Sequence, residues 1–353
     1  MPDVAGNARV AVVGSANADL VVEVPRRPGG GETLLGGDLA LLPGGKGANQ
    51  AAAAARCGAD VSFVACVGAD ANGGFLLSEL AAAGVNVDHV AQVDRPTGTA
   101  IIFLTPDGEN SIVVSPGANH ALDVATVEAR AGAAADADAD ADAATASAAS
   151  HDARPGGVWR DARVVVLSLE IPLETALHVA AEARSAGARV VLNAAPSVQL
   201  PGSVLELCDP LIVNEHEALE VLGAASDDPE AEIYGRLAER LLEAGAQSVV
   251  VTLGADGAIV AERAGSVAVP AYRVRAVDTT GAGDAFVGAV AGELAAGETL
   301  TDAVRFATAV SAVSVQRVGA QSSYANREEI ETFIANESTV LRESEIAGGA
   351  AAN

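Results

Sequence analysis

Short apolar runs alternate along this chain with longer, alanine-rich stretches. Arg9 to Gly14 (RVAVVG) reads as a buried first strand that ends at a glycine, and Val61 to Val67 repeats the pattern. Arg163 to Leu169, Arg189 to Asn193, Pro210 to Val213 and Ser248 to Leu253 are further runs of this kind, separated by helical stretches. Continuous apolar strands spaced by helices predict a parallel sheet with right-handed crossovers. Gly47 to Cys57 is alanine-rich and predicts a helix. Leu20 to Val24 and Thr33 to Leu42 predict exposed strands or loops, punctuated by Pro25, Pro28 and the glycines from Gly29 to Gly31. Thr99 to Leu104 and Ser111 to Ser115, joined by Pro106-Asp107-Gly108, predict a hairpin. The rhythm is that of one α/β domain over residues 1–340, with a flexible tail at 341–353.

One segment breaks the rhythm. Residues 131–150 are dominated by alternating Ala and Asp, and Pro155-Gly-Gly157 closes the insertion. With almost no large apolar side chain it cannot offset its ordering entropy, so it reads as a solvated surface insertion, disordered or partly helical.

Charge then narrows the partners. The 353 residues carry a formal net charge of -26, from 47 acidic against 21 basic residues. Such a surface repels a phosphate backbone, so nucleic acid is not expected as a partner. Lys46 is the one lysine; every other basic residue is arginine. An acidic, lysine-poor surface suits high salt, where screening weakens self-repulsion, and the expectation is a halophilic protein; a genomic base composition that favours Arg and Ala over Lys is the alternative reading. Cys57, Cys66 and Cys208 form no CxxC and are odd in number, so they read as small core residues in a reducing compartment. No apolar run reaches the ~18 residues of a membrane span, and the first residues do not read as a signal peptide. The expectation is a soluble, cytoplasmic protein without a membrane partner.

Three stretches hold candidate chemistry. Val277 to Gly288 reads VDTTGAGDAFVG, with Asp284 directly after Gly281-Ala282-Gly283 and before a predicted helix from Ala285 to Leu294. A carboxylate there can cap the helix. Equally, free N–H groups beside glycines make an anion hole, and a carboxylate next to it is placed to take a proton from an attacking hydroxyl. Those residues alone leave both readings open. A dinucleotide fingerprint is excluded, because Phe286 stands at its third glycine. A Walker A loop is excluded too: Ala40 stands at its first glycine and Gly47 follows the lysine. Pro43 to Gln50 (PGGKGANQ) opens the backbone around Lys46 and offers Asn49 as donor and acceptor for a polyol. Gly14 to Asp19 (GSANAD) follows the first strand, where α/β proteins bind ligands; Asn17 and Asp19 suit neighbouring hydroxyls, or else form a turn.

Taken in order, these motifs resemble the ribokinase-like sugar kinases of the phosphofructokinase B type. Gly30-Gly-Glu-Thr33, Pro116-Gly-Ala-Asn119 and Gly319-Ala-Gln-Ser322 fit as well, and the resemblance runs from about Arg9 to about Phe333. It implies a three-layer sandwich around a mostly parallel central sheet, with a small β-sheet lid from about 20–42 and 99–115 that also makes a homodimer contact. It implies ATP-dependent phosphorylation of a sugar, ribose being the first expectation, with Mg2+ and K+ as cofactors. Asp284 would be the base, and Gly281, Ala282 and Gly283 the anion hole. Asn17, Asp19, Gly45, Lys46, Asn49 and Glu170 would bind the sugar. Asn214, Thr252, Gly254, Ala255, Asp256, Gly257 and Gly283 would hold the nucleotide. Asn214 and Glu217 would organise magnesium, mostly through water, while His216 is expected to be incidental. Asp278, Thr280, Ser314, Arg317, Gly319 and Ser323 would form the potassium loop. Val213 departs from the family, where a proline commonly precedes Asn214. So does Ala195-Pro196, where an Asn-Pro-type run is usual. Deoxyribose, fructose, ketodeoxygluconate or nucleoside kinases would share Asp284, and a non-catalytic sensor on the same scaffold would be expected to lose it.

Overall fold

The apolar runs become strands because valine dominates them and β-branched side chains fit a pleated surface buried on both sides. The computed structural model describes residues 8–106, 110–141, 157–224 and 234–337. Nine strands form the main sheet: β1 (Arg9–Val13), β4 (Asp60–Gly68), β5 (Val90–Val93), β8 (Val164–Ser168), β9 (Arg189–Asn193), β10 (Leu211–Asn214), β11 (Ser248–Thr252), β12 (Ala258–Glu262) and β13 (Gly265–Val269). Their order is β13-β12-β11-β10-β9-β8-β1-β4-β5. From β11 to β5 every pair is parallel; β12 and β13 add an antiparallel edge. The four predicted runs after residue 160 are β8 to β11. Strands β5, β12 and β13 lie outside the apolar runs that predict strands.

Residues along β1 alternate between two cores, Val10 and Val12 on one side, Ala11 and Val13 on the other. Helices α1 (Lys46–Arg56), α9 (Ala282–Ala296) and α10 (Leu300–Ser314) cover the first side. The second is covered by α3 (Val124–Ala141), α5 (Leu173–Ser185), α7 (Glu215–Val221) and α8 (Tyr234–Glu243). The remaining helices are α2 (Ala71–Ala82), α4 (Val158–Asp161) and α6 (Gly202–Leu205). This is the expected three-layer arrangement. The start of the Ala/Asp segment continues α3 as helix; residues 142–156 and the tail lie outside the described residues.

A second sheet of four strands, β3-β2-β6-β7, forms the lid. Its members are β2 (Asn17–Glu23), β3 (Leu39–Gly44), β6 (Gly98–Leu104) and β7 (Asn110–Ser115). The predicted hairpin is the antiparallel β6–β7 pair. Two expectations change here. Residues 33–38 are loop, so the strand begins at Leu39. Asn17 and Asp19 do not form a turn: they are strand residues, paired with Gly44 and Leu42 of β3.

Helix α1 lies unusually near α9. A Cβ at Gly288 would stand 2.7 Å from Ala53 Cβ, so glycine there and the alanine run opposite let the two helices touch. That contact carries Asn49 and Gln50 of α1 to the first turn of α9.

Candidate active site

The predicted residues converge at one mouth, where the lid meets the ends of the parallel strands. Glu170, just beyond β8, is a tie point: its Oε2 accepts from Ser15 Oγ at 2.6 Å, the Lys46 backbone N–H at 3.1 Å and Asn17 Nδ2 at 3.5 Å. One carboxylate thus fixes the β1–β2 loop, the start of α1 and the first lid strand. Asn119, fully buried, accepts from Ala16 N–H and donates to Asn17 Oδ1 at 2.7 Å, which sets the Asn17 amide orientation. Asp19 lies over Gly44, where any Cβ would collide with its carboxylate. Gly45 caps α1 with φ of 90°, a backbone shape that favours glycine.

Asp284 is buried in the first turn of α9, and its hydrogen bonds run to α1. Oδ2 accepts from Asn49 Nδ2 at 2.9 Å and Oδ1 from Gln50 Nε2 at 3.2 Å. Gln321 donates to Asn49 Oδ1, and Gln50 also donates to Asn193. Two amides therefore orient the carboxylate toward a cavity of about 180 Å³ that Lys46, Asn214, Glu217, Gly281 and Gly283 also line. A helix cap would be tied to its own first turn; these bonds across to α1 favour the working-base reading. At Gly283 an added Cβ would meet nothing within 4 Å, so this backbone faces open space. Among the described residues, the Gly283 and Asp284 N–H groups have no backbone acceptor, which leaves them to an incoming anion, whereas the Ala282 N–H, expected in the anion hole, donates to the Thr279 carbonyl at 3.2 Å.

Charges at this mouth are strongly coupled. Burial raises the Asp19 carboxyl to about 7, helped by Glu170 and Asp284. Burial disfavours the Lys46 ammonium, but Asp284, Glu170 and Glu217 outweigh it and hold the pKa above the usual lysine value. Lys46 is thus a fixed cation among carboxylates.

Beyond Gly283 opens a second cleft of about 490 Å³. Asn214, Thr252, Gly254, Ala255 and Gly257 line it as expected; Asp256 is exposed on the same turn and is not part of the lining. Its far walls were not anticipated. Ala271 to Val274, Phe286, Thr308, Ser311 and Ala312 form them, and His216, expected to be incidental, lines the cleft too.

Two sets of residues are candidates to hold a cation: Asn214 and Glu217 line the smaller cavity, and the second set lies outside both linings. Asn214 and Glu217 make a capping box: Glu217 N–H donates to Asn214 Oδ1, and Asn214 N–H donates to Glu217 Oε2, each at 2.8 Å. Glu217 keeps its other oxygen uncommitted, and burial raises its pKa despite the opposing Asn214 bond and Lys46 charge. One half-buried carboxylate oxygen beside a phosphate-sized space fits magnesium, which retains most of its waters. Asp278 spans the loops around α9 and α10, accepting from Thr280 N–H and Gly319 N–H at 2.9 and 2.8 Å. Burial would raise its pKa, yet these bonds hold it below the usual value. Ser314 and Ser323 share a hydroxyl–hydroxyl bond of 2.7 Å nearby in the chain. Arg317 points outward to Glu329, so only its carbonyl is free for a cation. Oxygen atoms are the donors a hard cation takes, and the structure brings Asp278, Thr280 and Gly319 together in one hydrogen-bonded group and Ser314 and Ser323 in another.

An aspartate at a glycine-rich helix start, between a polyol-type cluster and a nucleotide-sized cleft, has the layout of a phosphotransferase. The chain belongs to the pfkB family of carbohydrate kinases, whose family description matches residues 7–327. It is 39% identical to the ribokinase of Schizosaccharomyces pombe over 324 residues, 89% of this chain and 94% of that one. Among solved structures it is similar to ribokinase from Thermotoga maritima, with TM-score 0.78, 32% identity and 92% of this chain and 99% of that chain covered. It is also similar to Arabidopsis thaliana ribokinase complexed with ribose and ATP, with TM-score 0.76, 31% identity and 92% and 98% covered. Among the described residues no helix is long and apolar enough to cross a membrane.

Proposed function

We propose that this chain is a ribokinase, transferring the γ-phosphoryl group of ATP to the primary hydroxyl of D-ribose to give ribose 5-phosphate and ADP. The observation that carries the reading is Asp284, oriented by Asn49 and Gln50 at the junction of the two clefts. Asn17, Asp19, Asn49 and Glu170, with the backbone at Gly45 and Lys46, hold the sugar hydroxyls. Asp284 accepts the proton as the hydroxyl attacks in line. The free N–H groups of Gly283 and Asp284, at the end of the Gly281–Ala282–Gly283 turn, and the Lys46 ammonium stabilise charge on the transferred group. Lid closure excludes water, which would otherwise compete as acceptor. Asn214, Thr252 and the Gly254–Gly257 turn cradle the nucleotide. Asn214 and Glu217 would organise hydrated magnesium, which neutralises phosphate charge when bound. Residues Asp278, Thr280, Ser314, Arg317, Gly319 and Ser323 would hold potassium behind the anion hole.

We treat the lid and sandwich as one kinase domain. The lid leaves Leu39, Ile112, Val113 and Val114 exposed, which fits a homodimer contact through this sheet. Buried free thiols at Cys57, Cys66 and Cys208 fit a reducing cytoplasm, and the acidic surface fits a saline one.

The test is ADP release at high KCl with ribose, deoxyribose, fructose, ketodeoxygluconate and adenosine, run on wild type and Asp284→Asn. Ribose should be the best acceptor, and the variant should lose about 10³-fold or more in kcat with ribose binding retained. Near-normal turnover in Asp284→Asn would refute the base, and another preferred acceptor would replace the substrate. Sedimentation in the same buffer should give a dimer.

A further inference from the structure

Two hydroxyl groups outside the family motifs grip the anion hole from behind. Tyr324, fully buried, donates to the Gly281 carbonyl at 2.9 Å. Ser311 of α10 donates to the Ala282 carbonyl at 3.0 Å. A peptide unit is planar, with C=O and N–H pointing in opposite directions. Fixing the Gly281 oxygen therefore sets the Gly281–Ala282 peptide, whose N–H donates to the Thr279 carbonyl at 3.2 Å, and fixing the Ala282 oxygen aims the Gly283 N–H. The Gly283 N–H is the one left without a backbone acceptor, beside open space.

The fit behind the turn is close. Gly281 has φ of 73°, and a Cβ there would stand 2.7 Å from the Tyr324 hydroxyl and 2.6 Å from Ala320 Cβ. The Gly281 oxygen also accepts from Ala285 N–H at 2.8 Å, so the helix does not need Tyr324 to satisfy that carbonyl. The phenol adds orientation to a group already paired.

We infer that Tyr324 and Ser311 are positioning residues that hold the two peptides leading into the anion hole in register for phosphoryl transfer, Ser311 through the peptide that carries the Gly283 N–H and Tyr324 through the peptide before it. This rests on the kinase reading above. Donors act in catalysis only when already aimed at developing charge, and a loosened peptide loses that advantage without losing ground-state binding.

The experiment compares wild type, Tyr324→Phe, Ser311→Ala, Ser311→Thr and the Tyr324→Phe/Ser311→Ala double variant by steady-state kinetics and amide NMR. Each single hydroxyl deletion should lower kcat about tenfold, less than the loss from deleting an oxyanion donor itself, and the double variant should lose more. KM for ribose and ATP should change less than about threefold, and Ser311→Thr, which keeps the hydroxyl, should restore kcat. The Ala282 and Gly283 amide resonances, read without substrate, should shift in the deletions. A kcat within twofold of wild type in both deletions, or a loss confined to KM for ATP, would overturn the inference. So would unmoved amide resonances. If Tyr324→Phe fails to fold, Ser311→Ala decides alone, since Ser311 is only half-buried. A wild type silent on ribose but with shifted amides in the variants would remove the ribose reading and leave the positioning roles standing.

Discussion

The two sides of the active site are built differently. On the proposed sugar side, side chains bond one another: Glu170 to Ser15, Asn17 and the Lys46 amide, Asn119 to Asn17, Asn49 to Asp284, and Gln321 to Asn49. On the nucleotide side the cleft is mostly backbone, small residues and apolar faces, from Gly254, Ala255 and Gly257 to Phe286, Ala312 and Val315. A network of fixed donors and acceptors rejects a ligand whose hydroxyls are misplaced, because the unmatched polar groups stay buried and unpaired. A cleft of small residues recognises shape and offers phosphate its N–H groups. Selectivity should therefore be steep for the acceptor and shallow for the donor.

The largest effect should come from the seam between the sides. Gly283→Ala adds a methyl group that meets nothing within 4 Å beyond its chain neighbours and its own helix backbone, so the fold should be kept. That space is where a phosphoryl group would approach the Gly283 N–H. We expect kcat/KM for ATP to fall about 10²-fold or more, with ribose binding by calorimetry unchanged. A weakened ribose affinity of similar size would mean that the two sides are one network and would break the comparison.

Asp19 sharpens the sugar side. Its carboxyl is raised to about 7 by burial, then by Glu170 and Asp284, so the ligand-free fold binds a proton that the unfolded chain releases near 4. Stability from this group is present at low pH and lost as pH rises from about 4 through about 7. Asp19→Asn should thus raise the melting temperature at pH 8, by the equivalent of roughly 1–2 kcal/mol, and flatten its pH dependence. The same change removes an acceptor for sugar hydroxyls and should raise KM for ribose about 10²-fold. A lower melting temperature at pH 8 would show that the three carboxylates are not in conflict in the free protein.

This difference also explains what could be read from the chain. The sugar side rests on side chains in contiguous motifs, GSANAD and PGGKGANQ, so Asn17, Asp19, Lys46 and Asn49 were legible, and the structure brings them to one mouth. Gly44 and Gln50 lay in the same motif without a role; only packing shows that Gly44 makes room for Asp19 and that Gln50 reaches Asp284. The walls of the larger cleft at 271–276 and 308–315, which mix Ala and Val with Tyr272, Arg273, Thr308 and Ser311, carry no signature, since they come from distant segments with no shared motif. Strand β13 was missed for a related reason: only Val269 is buried in it, so no alternation marks it. Helix α9 is buried from Asp284 through Ala295 and has no polar face to give a helical period; its glycine start revealed it.

The smallest effect should come from the nucleotide wall. Thr308 lines the cleft, yet its hydroxyl donates to the Arg305 carbonyl within α10 at 2.8 Å. Its hydrogen bond is thus spent inside the helix, and a base in the cleft meets mainly the rest of the side chain. Thr308→Val keeps the shape and removes a bond that the helix can spare, so KM for ATP should change less than about threefold. The same reasoning makes GTP a tolerated donor, with kcat/KM within about tenfold of ATP. Donor competition assays on wild type and Thr308→Val read both numbers. A tenfold or greater rise in KM for ATP in Thr308→Val would place a directed hydrogen bond on the nucleotide side, and the contrast between the two halves of the site would then be one of degree.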